Sequence, residues 1–227
     1  MAGMTLTLHY HPLASFCWKP LVALYERGIA FEPVVVDLAA PADRAAFAAV
    51  WPFLKFPVLV DDARGATVAE SSTIIDFLDA FHAGGMVPAD PDRAWRARMW
   101  DRVFDSYVQI PMQRVVLDAI RPPEGRDPIG VAEARAALRD AWRHLATTFA
   151  PDPWALGAAA QSARVKSAPA LFYGNLVEPL GPDDALLRGY LGRLMRRDSF
   201  ARVLAEAEPW FGFFPLDPKP SRVPPDA

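Results

Sequence analysis

The sequence predicts an α/β unit of order βαβαββα followed by an all-helical half. Three observations carry that expectation. Residues 5–84 alternate short apolar runs of period two with runs of helical period. From residue 92 onward only the helical spacing recurs. Between them lies 86–91, a proline-bearing stretch that reads as a linker. The expected boundaries are 1–84 for the first domain, 85–91 for the linker, 92–212 for the helical domain and 213–227 for an extended, proline-rich tail.

The elements follow in order. Residues 5–10 place Leu6, Leu8 and Tyr10 on one face, which predicts a strand. Residues 19–27 are helical, with Gly28 as the stop. Pro20 would forfeit a hydrogen bond inside that helix, so a start nearer Cys17, with the proline in the first turn, is expected. Residues 32–36 predict a second strand, and Pro41 opens an alanine-rich helix that runs to Trp51. A third strand at 58–60 turns through Arg64 and Gly65 into a fourth at 66–69. A helix over 72–81, ended by Gly84 and Gly85, closes a unit of ordinary domain size.

In the second half, Trp95, Met99, Val103 and Tyr107 recur at helical spacing over 92–121, with a kink expected at Pro111. A loop over 122–128 precedes a helix over 133–149 that carries Leu138, Trp142 and Leu145. Shorter helices are expected at 169–176, 185–196 and 200–207, and no strand. Five prolines in 214–227 predict an extended tail.

Composition narrows the function. A chain of 227 residues that is 52% hydrophobic has ample core, and its net charge of -3 offers no basic surface for nucleic acid. Cys17 is the sole cysteine, so an internal disulfide and a cysteine-rich metal site are excluded, which suits a reducing compartment such as the cytoplasm. Residues 1–4 carry no charged, apolar leader pattern, and Met4 is a second candidate start. No apolar run reaches the roughly eighteen residues of a membrane helix. There is no phosphate-cradling glycine loop, no histidine pair at metal spacing and no GxSxG elbow. His9, His11, His82 and His144 are scattered and read as surface or packing residues; only His11 lies near the stretch discussed next.

That stretch is Lys55-Phe56-Pro57-Val58-Leu59-Val60. A proline opening a strand is tolerable where its amide is not needed, and the backbone of Phe56 before it then lacks a sheet partner. An extended ligand can fill that place as an added strand. Glu70 and Ser71, at the mouth of the next helix, supply a carboxylate and a hydroxyl for the polar ends of a small acidic peptide.

Together the element order, the strand opened by Pro57, Val68-Ala69-Glu70-Ser71 before a helix, and Ala14-Ser15-Phe16-Cys17-Trp18-Lys19 ahead of Leu21-Val22-Ala23-Leu24 resemble the glutathione transferase family over residues 5 to 212. The last cadence resembles the zeta, tau and phi-like classes, which use serine rather than tyrosine. The resemblance implies a thioredoxin-like N-terminal domain joined to an all-α domain, a cis Pro57, and glutathione as co-substrate, with no tightly bound cofactor and no metal. It implies that Phe56 pairs through its backbone with the cysteinyl residue, that Glu70 and Ser71 hold the γ-glutamyl end and that Lys55 reaches the glycyl carboxylate. Ser15, at the start of the first helix, and Cys17 are the candidates for the catalytic position. An acceptor pocket lined by Leu13, Ala14, Phe104, Tyr107 and Val108 is implied, for a small hydrophobic electrophile. A cytoplasmic, detoxifying homodimer follows from the same resemblance, with neither nucleic acid nor membrane as partner. Non-catalytic glutathione binding, and zeta-like cis-trans isomerisation, are the alternatives.

The sequence departs from the pattern twice. The position that holds serine or cysteine in those classes is Ala14, with Ser15 one residue later, and against glutaredoxins Ala14 replaces the attacking cysteine while Cys17 keeps the second position, which rules out dithiol chemistry. A buried central helix in this family starts with Ser or Thr and, three residues on, Asp; here those positions read Gln161 and Arg164. A start shifted to Ser162 or a loosened first turn is expected.

Overall fold

The period-two runs form a four-stranded sheet in the computed structural model, which describes residues 5–148 and 160–225, and for 160–166 the backbone alone. The chain divides into two units, Met1–Met86 and Val87–Ala227.

In the first unit, β1 (Leu6–Tyr10), β2 (Glu32–Val35), β3 (Val58–Asp61) and β4 (Ala66–Ala69) lie in the order β2-β1-β3-β4. β2 runs parallel to β1, and β3 runs antiparallel to both β1 and β4. β1 and β4 therefore point the same way, and both end at the edge of the sheet where β3 begins. The parallel β1–β2 pair needs a crossover, which helix α1 (Ser15–Glu26) supplies. It ends at Gly28, which adopts φ +61°; Gly28 N–H bonds Tyr25 O and Ile29 N–H bonds Leu24 O, the paired bonds of a glycine-terminated helix. Pro20 lies inside α1, in its second turn rather than its first, because the helix starts at Ser15.

Helices α2 (Pro41–Val50) and α3 (Ser71–Phe81) complete the unit in the predicted order. α1 and α3 pack together, burying Trp18, Leu21, Leu24, Ile74, Ile75 and Leu78. Each such side chain withdrawn from water contributes about 1.5–3 kcal/mol. Phe47 of α2 packs with Val36 and Val58 in a second cluster, against which Phe56 rests.

The regular elements among the described residues of the second unit are all helices. Asp90 accepts from Arg93 N–H at 2.9 Å and so caps α4 (Pro91–Phe104). The kink expected at Pro111 takes the form of a π-helical segment, Asp105–Gln109, between α4 and α5 (Ile110–Ala119). Pro111 has no N–H for the carbonyl one turn earlier, and Ile110 N–H reaches back five residues to Asp105 O, where the chain widens. Helix α6 (Pro128–Thr148) starts five residues before the predicted 133, because Asp127 accepts from Gly130 N–H at 2.8 Å. Residue 149, the predicted end, lies outside the described residues.

Helix α7 (Ala160–Val177) is longer than predicted and carries Pro169 in its interior. Its start precedes Ser162, and the side chains of Gln161 and Arg164 lie outside the described residues. α8 (Ala185–Met195) and α9 (Asp198–Ala207) follow. The tail after a short turn at Glu208–Phe213 is irregular and tied down: Lys219 Nζ donates to Phe214 O at 2.7 Å and Arg222 pairs with Glu208 at 3.0 Å. Among the described residues, no helix is long and apolar enough to cross a membrane.

Candidate functional site

The strand directions set the site. α1 begins five residues after β1 ends and α3 begins two residues after β4 ends, so both helix N-termini lie at the edge where β3 starts. The β1–β3 register, in which His9 faces Val58, places His11 level with Phe56 when it is continued by two residues. The β3–β4 register, in which Val58 faces Ala69, likewise places Glu70 level with Pro57 and Ser71 level with Phe56. The rings of His11 and Phe56 stack as that alignment demands, with centroids 5.9 Å apart and planes within 19°. The Phe56–Pro57 peptide bond is cis.

Around this edge, Pro57 and Ser71 are buried, Phe56 is half-buried, and Lys55 and Glu70 are exposed. Glu70 is the N-cap residue of α3 and adopts φ +66°, unusual for a residue with a side chain. Its carboxylate makes no capping bond, and the first turn of α3 holds no acidic residue. α1 is similar: the N-cap is Ala14, which has no capping atom, and no acid sits in the first turn that Ser15 opens. Two helix ends carrying partial positive charge thus converge without an acidic side chain in either first turn. That arrangement favours an anionic ligand.

The loop from β1 to α1 is held by its own groups. Leu13 N–H donates to His11 Nδ1 at 3.1 Å, Ala14 N–H to His11 O at 3.0 Å, and Trp18 Nε1 to Pro12 O at 2.6 Å. Lys19, without exposed surface, donates from Nζ to Ser72 Oγ at 3.0 Å.

The expected site residues differ in exposure. Cys17 has no exposed surface, and burial drives its thiol far above the ordinary cysteine range, opposed weakly by a hydrogen bond with the His11 backbone. It packs in the core, and Ser15, two residues earlier, is itself buried with 7% of its surface exposed. Phe104 and Val108 likewise have no exposed surface, Tyr107 is exposed, and Leu13 and Ala14 are partly buried. His11 and Lys19 also lie at this edge, His11 stacked on Phe56 and Lys19 bonded to Ser72. Lys19 lies one helical turn beyond Ser15, and the nearness of His11 to the stretch is legible in the sequence while its stack on Phe56 depends on strand register. Among the described residues, no cluster of His, Cys, Asp and Glu could hold a metal ion.

Residues 8–85 match the family model for the glutathione S-transferase N-terminal domain. Over that segment the chain is similar to the glutathione S-transferase N-terminal domain. A 108-residue segment is 35% identical to Protein LigF of Sphingobium sp. strain SYK-6, an alignment that covers 46% of this chain and 41% of that protein. The match therefore spans less than half the length of this curated relative. Among solved structures, a glutathione transferase family member from Pseudomonas fluorescens Pf-5 with bound glutathione is 25% identical, with a TM-score of 0.74 over 88% of this chain and 98% of that one. A glutathione S-transferase from Methylobacillus flagellatus KT with glutathione bound gives a TM-score of 0.79 at 22% identity, covering 88% and 98%. The four-stranded sheet with its helices and the helical second half have the architecture of this family's fold.

Proposed function

We propose that this chain binds glutathione where β3 begins, stabilises its thiolate beside Ser15 and transfers it to a small hydrophobic electrophile. The observation that carries the reading is the convergence, at one edge of the sheet, of Phe56, Ser71 and two helix N-termini whose first turns hold no acidic residue. The cysteinyl backbone of glutathione pairs with Phe56 as an added strand. Its γ-glutamyl carboxylate takes the Ser71 hydroxyl and the amides of α3, its ammonium the Glu70 carboxylate, and its glycyl carboxylate Lys55.

At an ordinary pKa of about 8.5 the glutathione thiol is mostly protonated at neutral pH, and lowering that value by about two units takes about 2.7 kcal/mol of preferential stabilisation of the anion. In this reading the Ser15 hydroxyl and the N-terminus of α1 supply it, a reading supported by the start of α1 at Ser15. The acceptor meets the loop residues Leu13 and Ala14 beside Ser15. The homodimer, the cytoplasmic location and the detoxifying role implied by family resemblance belong to the same proposal.

A second reading, glutathione binding without catalysis, is favoured by Ala14 at the N-cap and by the burial of Cys17. Titrating the protein with glutathione while following thiolate absorbance in the ultraviolet separates the two. Binding with a lowered thiol pKa supports transfer, binding with an unshifted thiol supports the second reading, and absence of binding defeats both.

A further inference from the structure

We propose that His11 is a positioning residue of this site, its uncharged imidazole bracing the loop that presents Ser15 against the strand entry at Phe56. The inference rests on the glutathione-binding reading and adds to it a dependence on one proton.

The geometry is specific about the form of the ring. Nδ1 accepts from Leu13 N–H at 3.1 Å, so it carries no proton, and in the neutral ring the proton is on Nε2. The bond runs from the amide two residues on, the pattern by which an asparagine side chain closes a turn on its own backbone. The same ring stacks on Phe56, whose own ring lies 6.3 Å from Phe47 of α2. One side chain thereby fixes both the Leu13–Ala14 approach to Ser15 and the seat of the residue whose backbone receives the ligand. Protonation of Nδ1 sets a donor against the Leu13 donor and breaks the brace.

Asp37, in the loop after β2, attracts a proton to His11, while burial disfavours the charged ring more strongly, so the net effect lowers its pKa. Asp43 of α2 lies behind Asp37, accepting from its N–H at 3.4 Å. Lys55 precedes Phe56 and is exposed. His9, two residues back on β1, is held near Phe47 and has its own pKa lowered by burial. At neutral pH the brace is intact, and acidification through and below the ordinary histidine range releases it.

S-methylglutathione is the probe, because it has no thiol to titrate. Its dissociation constant, measured by calorimetry from about pH 7.5 to about pH 5, is expected to rise about threefold to tenfold for the wild type as His11 takes up a proton. In His11→Asn the amide oxygen accepts from Leu13 N–H and does not titrate, so affinity stays near the wild-type value at neutral pH and changes little on acidification. His11→Leu loses affinity across the range, and His9→Gln keeps the wild-type pH profile. A wild type whose affinity is flat with pH, or a His11→Asn variant that retains the wild-type dependence, overturns the role of His11 while leaving glutathione binding intact. Failure of S-methylglutathione to bind the wild type at any pH removes the glutathione-binding reading, and this inference with it. Circular dichroism of each variant establishes that a lost affinity is not lost folding.

Discussion

Lys19 Nζ donates to Ser72 Oγ at 3.0 Å across 53 residues of sequence, joining the second turn of α1 to the first turn of α3. Lys19 has no exposed surface, and its ammonium also lies 5.8 Å from the Phe16 ring. The two helix N-termini that flank Phe56 are therefore linked by side chains beneath the site as well as by the sheet.

The link has a measurable strength. Lys19→Ala leaves a cavity along a buried stem and removes a donor to Ser72, and is expected to cost about 2–4 kcal/mol in urea unfolding. Ser72→Ala is expected to cost about 1 kcal/mol. Because the groups touch, the double variant loses less than the sum, by about 0.5–1.5 kcal/mol. Strict additivity would show that the bond does not form in solution.

Ser15 is the test of thiol activation. Ser15→Ala is expected to raise the pKa of bound glutathione by about one unit or more and to slow conjugation by about a hundredfold. Affinity for S-methylglutathione stays within about twofold, since the lost hydroxyl interacts with the thiolate rather than with the peptide. An electrophile panel scored for both proteins decides it, and equal rates would leave Ser15 without a catalytic role.

How far the sequence foretells this molecule depends on whether a feature is local or needs register. The strand at β3 and the stop at Gly28 are legible, because Pro57, Val58 to Val60 and a glycine set their own backbone. Helix extents around prolines are not. Pro20 and Pro169 look like helix starts, yet each lies inside a helix, and the π-helical segment before Pro111 leaves no mark in apolar spacing. Phe56, Glu70 and Ser71 can be paired with one ligand through family resemblance, but the stack of His11 on Phe56 appears only when β1 is aligned with β3. The burial of Phe104 and Val108 is equally hidden, since helical spacing marks a face without saying what covers it.

Cys17 is expected to be inert in the folded chain. With its thiol buried and its pKa raised by desolvation, a thiol reagent at about pH 8 should react only through unfolding, so the modification rate should rise with urea in step with the unfolded population. Cys17→Ser places a hydroxyl in an apolar site and is expected to cost about 1–3 kcal/mol, while Cys17→Ala leaves glutathione affinity near that of the wild type. Rapid modification in the native state, blocked by glutathione, would return Cys17 to the catalytic candidates.

Gly174 governs packing in the helical unit. A Cβ there would lie 2.7 Å and 2.9 Å from two carbons of the Trp142 ring and 3.0 Å from Val108 Cγ1. The Trp142 ring has little freedom to yield, because it is buried and its Nε1 donates to Glu178 O at 2.9 Å, while Arg139 holds the Glu178 carboxylate at 2.8 Å. Gly174→Ala is expected to destabilise by about 1–3 kcal/mol despite the better helix propensity of alanine, which contributes only about 1 kcal/mol in return. Trp142→Phe removes the two carbons in the way, at the expense of the Glu178 bond. If overlap is the cause, Gly174→Ala combined with Trp142→Phe loses less than the sum of the single variants, by about 1 kcal/mol in calorimetric melting. A Gly174→Ala variant that melts at or above the wild-type temperature would mean that α6 and α7 separate more readily than this contact allows.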